Sequence, residues 1–175
     1  GSSLYLSHRE ANAISRISNA TFYPKVEGSF SKIQRLGTNP SNYSWVVYDK
    51  SGMKYYYGTS HQSRLSTGNN SGNIAKWMLE KVEDKNGNYI TYTYFTKHYS
   101  TSNLSGGKEL LLSQITYTLN DYIDYEGDDE DKMVHRVDFM YNNNIRPDAT
   151  INYRNGLKEV NGTYLDRINV YSSSY

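Results

Sequence analysis

The sequence predicts an all-β fold, an antiparallel meander of about a dozen short strands that forms a twisted sheet folded on itself or a two-layer sandwich. Apolar and polar residues alternate with a period of two along the chain, and helical periodicity is almost absent. Turn residues separate these runs at hairpin spacing. The 175 residues include 19 Tyr but only 4 Phe, which suits half-exposed sheet faces because a Tyr ring packs while its hydroxyl reaches water.

The first half of the chain contains short strands and one ambiguous segment. Alternation predicts strands at residues 4–6, 13–17, 21–26 and 30–35, a hairpin over 43–58, and a polar loop over 60–73. Residues 74–82 also fit one face of a helix. We predict a strand there, because a tight hairpin turn follows at once.

Two hairpins in this half share one pattern. Each has a Trp, an apolar strand, the sequence Asp-Lys-Ser/Asn-Gly, and a strand rich in Tyr. Asp suits the first position of a type I turn, and the Gly three residues later supplies the positive φ that closes it. The structural hairpin positions predicted here are Trp45, Asp49, Gly52, Gly58, Trp77, Asp84, Gly87 and Asn88. Buried Trp side chains at these hairpins would anchor the core.

The second half continues the same pattern. The sequence predicts a loop at 100–107, strands at 110–119 and 133–141 on either side of an acidic loop at 121–131, a third hairpin over 149–160, and a last strand at 164–171. Arg146, Pro147 and Asp148 form a turn in which Pro fixes φ and Asp148 pairs with Arg146 or caps the next strand. Gly156 follows Asn155 in the third hairpin turn. We expect one β-rich module over residues 1–175, a fragment of a much larger protein whose sheet continues beyond it.

Composition limits the partners and the chemistry. The formal net charge of +1, from 19 basic and 18 acidic residues, gives no global field toward nucleic acid or an anionic membrane. No apolar run approaches the ~20 residues of a membrane-spanning helix. With no Cys, the chain has neither disulfides nor thiolate ligands. The expected partners therefore exclude nucleic acid, and direct membrane insertion is not expected.

No residue pattern in the chain predicts catalysis, a cofactor or a metal. His8, His61, His98 and His135 lack metal-ligand spacing, and the sequence has no nucleophile elbow or phosphate loop. The acidic segment 121–131 could offer oxygen ligands to Ca²⁺, but its spacing is not that of an EF-hand and favours a solvated loop. We expect no enzyme activity.

An ordered set of residues runs through these hairpins. It reads Trp45…Asp49-Lys50-Ser51-Gly52…Tyr57-Gly58, Ile74…Trp77…Asp84…Gly87-Asn88…Tyr92…Tyr94, and Val137-Asp138-Phe139…Arg146-Pro147-Asp148…Tyr153…Gly156…Leu165…Ile168-Asn169-Val170. This order, over about residues 20 to 171, resembles the SpvB-type module. That module opens the B components of insecticidal toxin complexes and the virulence-plasmid toxin that names it, in a family related to RHS-type Tyr-Asp (YD) repeat proteins.

The resemblance implies a structural role in a bacterial toxin. Such modules help to build a hollow shell around a toxic C-terminal region, so the resemblance implies partners in other domains of the same polypeptide and in other toxin-complex components, and a secreted or cell-surface location. The name-giving toxin also has an ADP-ribosyltransferase. Ser100-Thr101-Ser102 matches one element of that enzyme, but the chain has no Glu-x-Glu pair. Unpaired edge strands would also allow self-association.

The alternative hypothesis is a carbohydrate-binding module. Exposed Tyr rings stack on sugars, and the candidates are Tyr55, Tyr56, Tyr57, Tyr92 and Tyr94. Saturable glycan binding that is lost on Tyr→Ala substitution at one face would favour this hypothesis over the structural one.

Overall fold

A computed structural model of the chain describes residues 4–6, 15–24, 28, 31–68, 72–120 and 135–172. The chain divides into two compact units, Gly1–Asn86 and Gly87–Tyr175. Each unit is described by itself below. The expectation of a single module over residues 1–175 stays a prediction.

The first unit consists of short strands joined mainly by hairpins. In chain order the strands are β1 (Leu4–Leu6), β2 (Ala20–Pro24), β3 (Lys32–Leu36), β4 (Ser44–Tyr48), β5 (Lys54–Tyr57), β6 (Arg64–Ser66), β7 (Ile74–Trp77) and β8 (Leu79–Glu83). The main sheet has the order β1-β2-β3-β4-β5-β8, and β6 pairs with β7 in a separate two-stranded sheet. Every pairing in this unit is antiparallel.

Three details of this unit differ from the sequence prediction. Of the strand predicted at 13–17, residues 15–17 form a bend, because the carbonyls of Ser15 and Arg16 accept bonds from the Arg35 and Tyr43 side chains instead of a neighbouring strand. Residues 13–14 lie outside the described residues. The polar loop at 60–73 contains strand β6. The predicted strand at 74–82 is interrupted at Met78, whose N–H bonds the carbonyl of Ser63 and whose carbonyl accepts from Gly58 N–H. The helical alternative for this segment is wrong.

The second unit has two long strands at its centre. Its strands are β9 (Asn88–His98), β10 (Lys108–Asn120), β11 (His135–Tyr141), β12 (Thr150–Asn152), β13 (Glu159–Asn161) and β14 (Leu165–Tyr171), and a 3₁₀ turn covers Ser102–Leu104. The sheet order is β9-β10-β11-β14. The hairpin of β12 and β13 joins β10 through one parallel pair, Lys108 with Glu159. The acidic segment 121–131 lies outside the described residues.

Each unit has a small core, and much of the sheet surface is only half-buried. Val46 and Leu65 are among the most buried apolar side chains of the first unit. In the second unit Tyr99, Leu104 and Val160 form a buried cluster, with Ala149 and Ile151 packed against it. This pattern is typical of the wide half-exposed faces that the Tyr content indicates. The predicted all-β fold, an antiparallel meander, is confirmed.

Candidate functional site

The two Trp side chains of the repeated hairpin pattern are in contact. The Trp45 and Trp77 rings meet edge to face with centroids 5.9 Å apart, and Phe22 lies 5.9 Å from Trp45. Trp77 Nε1–H donates to the carbonyl of Tyr43 at 2.6 Å. Gly58 lies directly against Trp77, since a Cβ at this position would be 2.4 Å from Trp77 Cδ1. The hairpin positions 45, 58 and 77 therefore form one packed aromatic site.

The two Asp residues of the pattern occupy similar turns. Asp49 Oδ1 accepts from Ser51 N–H at 2.8 Å and from Met53 N–H at 3.1 Å. Asp84 Oδ1 accepts from Asn86 N–H at 2.8 Å. These bonds satisfy turn N–H groups that have no partner in a strand.

The glycines that follow these Asp residues take the left-handed conformation. Gly52 has φ +87° and Gly87 has φ +81°. Asn88 is the first residue of β9. The local geometry of both segments is that of turns.

Arg146 and Asp148 form a bidentate ion pair in which both N···O distances are 2.7 Å. The pair raises the pKa of Arg146 and lowers the pKa of Asp148, mainly through the hydrogen bonds between the two side chains. Arg146 N–H also donates to the carbonyl of Gly162. Pro147 is exposed between the two residues. This geometry holds the loop before β12 against the segment after β13. Gly156, in the turn of that hairpin, has φ +74°.

The candidate sugar-stacking residues differ in exposure and in bonding. Tyr55, Tyr57 and Tyr92 are half-buried, and the Tyr55 hydroxyl donates to Asp49 Oδ2. The Tyr56 hydroxyl donates to Glu83 Oε2 at 3.0 Å. Tyr94 is 8% exposed, so its ring has little surface on which a sugar could stack. The carbohydrate-binding hypothesis stays a prediction.

A buried polar network in the second unit was not foreseen from the sequence. Glu109 Oε2 accepts from Tyr99 Oη at 2.5 Å, Thr163 Oγ1 at 2.6 Å and Gly162 N–H at 3.3 Å. The side chains of Tyr99, Glu109 and Thr163 are all buried. The pKa of Tyr99 is raised to about 12, mainly because the phenol is buried and secondly because it donates a hydrogen bond to Glu109. The three donors converge on one buried carboxylate oxygen, which is typical of a structural network.

Among the described residues no three His, Asp or Glu side chains are grouped to hold a metal ion. No helix in the described part of the chain has the length and apolar character needed to cross a membrane.

The most exposed apolar surface of the second unit follows β14, which is the last strand in the sheet order. Within the described residues β14 pairs only with β11. Its exposed apolar side chains, here called the β14 patch, are Leu165, Ile168, Val170 and Tyr171, at 44–68% exposure. The outer edge of such a strand presents N–H and C=O groups that another strand could pair with.

Solved structures of toxin proteins share this fold. The N-terminal domain of effector protein SpvB from Salmonella typhimurium strain LT2 matches with a TM-score of 0.73 at 16% identity, over 97% of this chain and 67% of that one. The Photorhabdus luminescens Tc holotoxin pore matches with a TM-score of 0.73 at 15% identity, over 98% of this chain and 10% of that one. The TcdB2-TccC3 structure gives a TM-score of 0.71 at 17% identity, again over 98% and 10%.

Sequence comparison leads to the same family. Mono(ADP-ribosyl)transferase SpvB of Salmonella typhimurium strain 14028s is 24% identical over 88 residues, which are 50% of this chain and 15% of that protein. The chain therefore spans a small part of the curated relatives that it matches. The family model described as Salmonella virulence plasmid 65kDa B protein matches residues 6–125. The predicted SpvB-type resemblance is confirmed, and the chain belongs to the SpvB family.

Proposed function

We propose that this chain is a non-enzymatic structural module of a large bacterial toxin-like protein, in which it contributes strands to an RHS-type shell or scaffold. Its partners are other domains of the same polypeptide and other toxin-complex components, and its location is secreted or at the cell surface. The similarity to parts of much longer toxin chains supports this proposal, because the matched region is 10% of each Tc structure.

The observation that carries the proposal is the β14 patch. Val170 is 68% exposed and Ile168 is 49% exposed. Residues two apart on a strand lie on the same face, so these two side chains form one apolar strip beside an edge that no described residue pairs with. A strand that ends a sheet in a stable monomer is usually protected by charge, Pro or a covering segment. An added strand would bond the outward N–H and C=O groups of β14, and it would also cover the apolar strip.

The placement of Ser100-Thr101-Ser102 supports the absence of transferase activity. In the ADP-ribosyltransferases this tripeptide lies on a strand, whereas here it lies between β9 and β10 in a loop that begins a 3₁₀ turn. The carbonyl of Thr101 accepts from Leu104 N–H at 3.2 Å, which fixes the turn. Incubation with NAD should therefore give no more NAD consumption than a blank without protein.

Hydrogen exchange on the isolated chain and on the full-length gene product tests the structural role. In the isolated chain, the β14 amides that do not bond β11 should exchange rapidly. In the full-length protein the same amides should be protected by roughly a hundredfold or more, because the edge gains a neighbouring strand. Equal exchange in the two proteins would contradict the proposal, and the central amides of β10 provide the internal control.

A further inference from the structure

In the first unit, the charged side chain of Arg35 on β3 is buried, with the residue 6% exposed. Nη2 donates to the carbonyls of Ser15 at 2.5 Å and Ser18 at 2.9 Å. The guanidinium carbon lies 4.3 Å from the centroid of the Tyr43 ring, and the Tyr43 hydroxyl donates to the carbonyl of Arg16. Arg35 and Tyr43 together hold the bend that precedes β2.

The charge of Arg35 is not balanced by an acidic side chain in the described part of the chain. The ion pairs found there involve other residues, and the bonds of Arg35 go only to neutral carbonyls. Its Nε is buried and has no hydrogen-bond partner among the described residues. A buried guanidinium normally has both an anion and a full set of acceptors, because removing its charge from water is costly. Among the described residues, the site therefore lacks an acceptor that carries a negative charge.

Arg35 lines an open pocket whose walls suit such an acceptor. The other lining residues are Arg16, Pro40, Tyr43 and Asn73. Arg16 is exposed, and its side chain has no ion-pair partner among the described residues. Pro40 and the Tyr43 ring offer apolar contact beside the two cations. A short apolar stem that ends in an anion would match this combination.

We propose that this pocket binds a carboxylate, the Asp or Glu side chain of a neighbouring protein segment. A carboxylate is a planar acceptor that pairs with guanidinium groups, and its single charge equals that of the one buried cation. Its methylene stem would pack on Pro40 and Tyr43. Phosphate carries more negative charge than the one buried guanidinium can balance. Its second charge would have to pair with Arg16, which is exposed. This pocket belongs to the first unit and shares no residue with the β14 patch.

The test is an NMR titration of the ¹⁵N-labelled chain with a blocked tripeptide that has a central glutamate. The matched control peptide has glutamine in its place, and inorganic phosphate is a separate arm. The reporters are Arg35 Nε–H, assigned with Arg35→Lys, and Trp77 Nε1–H, which bonds the carbonyl of Tyr43. We expect saturable shifts of both signals with the glutamate peptide only.

Variants locate the binding site. Arg35→Met should weaken binding at least about tenfold and Arg16→Gln about threefold, since each removes a charge-assisted contact. Arg154→Gln, an exposed Arg of the second unit, should leave the affinity unchanged.

Three results would overturn the proposal. They are equal shifts with the glutamine peptide, unchanged affinity in Arg35→Met, or saturation by phosphate with no response to the glutamate peptide. If Arg35→Met does not fold, the wild-type titration still decides, because a silent Arg35 Nε–H signal excludes binding at this pocket.

Discussion

At the residue scale, Gly58 determines how closely the end of β5 can approach Trp77. It combines φ +61° with a position where a Cβ would be 2.4 Å from Trp77 Cδ1. Glycine is required there for two separate reasons, since the left-handed conformation disfavours a side chain and the ring occupies the space. Gly58, at the end of the first hairpin, is thus in direct contact with the Trp that begins the second.

Gly58→Ala should lower the free energy of unfolding by about 3 kcal/mol, because the new methyl group displaces the Trp77 ring and strains the backbone. Urea unfolding measures the change. Gly156→Ala is the matched control, with φ +74° but nothing within 4 Å of the added Cβ. It should cost only about 1 kcal/mol. Equal costs for the two variants would show that the contact with Trp77 is unimportant.

Tyr99 makes stability depend on pH in the alkaline range. Its pKa rises from 10.0 to about 12 in the folded protein, so the native state retains a proton that the unfolded state loses. This contribution is fully present below pH 10 and is lost as pH rises through about 12. The expected loss is about 2–3 kcal/mol for a shift of this size.

Urea unfolding near pH 8 and near pH 11 measures this loss, with Tyr99→Phe as the reference. The variant lacks the phenol and should lose about 1.4 kcal/mol less than the wild type across this range, which is about half of the full loss because the folded pKa is not yet reached. At pH 8 the variant should be less stable than the wild type by about 1 kcal/mol, because it lacks the hydroxyl that bonds Glu109. Parallel pH curves for the two proteins would contradict the assignment.

At the element scale, the sequence predicts strands well where turn chemistry is explicit. The hairpin around Asp49 and Gly52 and the hairpin around Gly156 have strands close to their predicted positions, because Asp, Asn and Gly encode local turns. Strand β6 and the break at Met78 could not be predicted, since neither has a local turn motif and both depend on pairing across an intervening loop, as in the bond of Met78 N–H to the carbonyl of Ser63. The bend over residues 15–19 depends in the same way on Arg35.

The candidate sites also divide into residues that belong to local motifs, which the sequence predicts, and residues whose partners are distant in sequence, which it does not. The sequence pattern led to Trp45, Trp77 and the turn positions, because each belongs to a local motif. It did not lead to Glu109 or Arg35, since an acidic or basic residue inside a strand gives no sign of the groups that will face it. Glu80 on β8 is a third such residue. It holds the segment after β5 by accepting from Thr59 N–H at 2.7 Å, Ser60 N–H at 2.9 Å and Ser63 Oγ at 2.7 Å, and also from Thr59 Oγ1.

Glu80→Gln should destabilise the loop between β5 and β6 by about 1–2 kcal/mol near pH 7, because an amide oxygen accepts more weakly than a carboxylate. Burial opposes ionisation of Glu80, but bonds from Ser60, Thr59 and Ser63 outweigh it and lower its pKa. This stabilisation is therefore present above the unfolded pKa and is lost as pH falls through the folded pKa.

The difference in unfolding free energy between wild type and Glu80→Gln should accordingly shrink in acid. Urea unfolding near pH 7 and near pH 3 measures it, and hydrogen exchange at Thr59 and Ser60 reports the loop itself. Asp166→Asn, an exposed carboxylate on β14, should change stability by no more than about 0.5 kcal/mol. A pH-independent difference would mean that the charge of Glu80 is not what holds the loop.

At the scale of the whole molecule, two properties act together on association. The net charge of +1 gives almost no electrostatic repulsion between copies. The β14 edge meanwhile presents exposed apolar side chains and strand groups that are unpaired in the described residues. Protein surfaces of this kind pair with another strand, whether that strand belongs to a larger assembly or to a second copy. In a solution of the isolated chain, only the second copy is available.

We therefore expect the isolated chain to self-associate at high concentration through β14, and Val170→Lys to shift it toward the monomer. A Lys on an edge strand opposes strand addition, because pairing would bury its charge. Light scattering over a concentration series measures the change, and urea unfolding of a dilute sample checks that the variant is folded. Tyr153→Lys adds the same charge at a side chain that is 64% exposed but lies outside β14, so it should associate as the wild type does. A wild type that stays strictly monomeric, or a Tyr153→Lys variant as monomeric as Val170→Lys, would show that the β14 edge is not the associating surface.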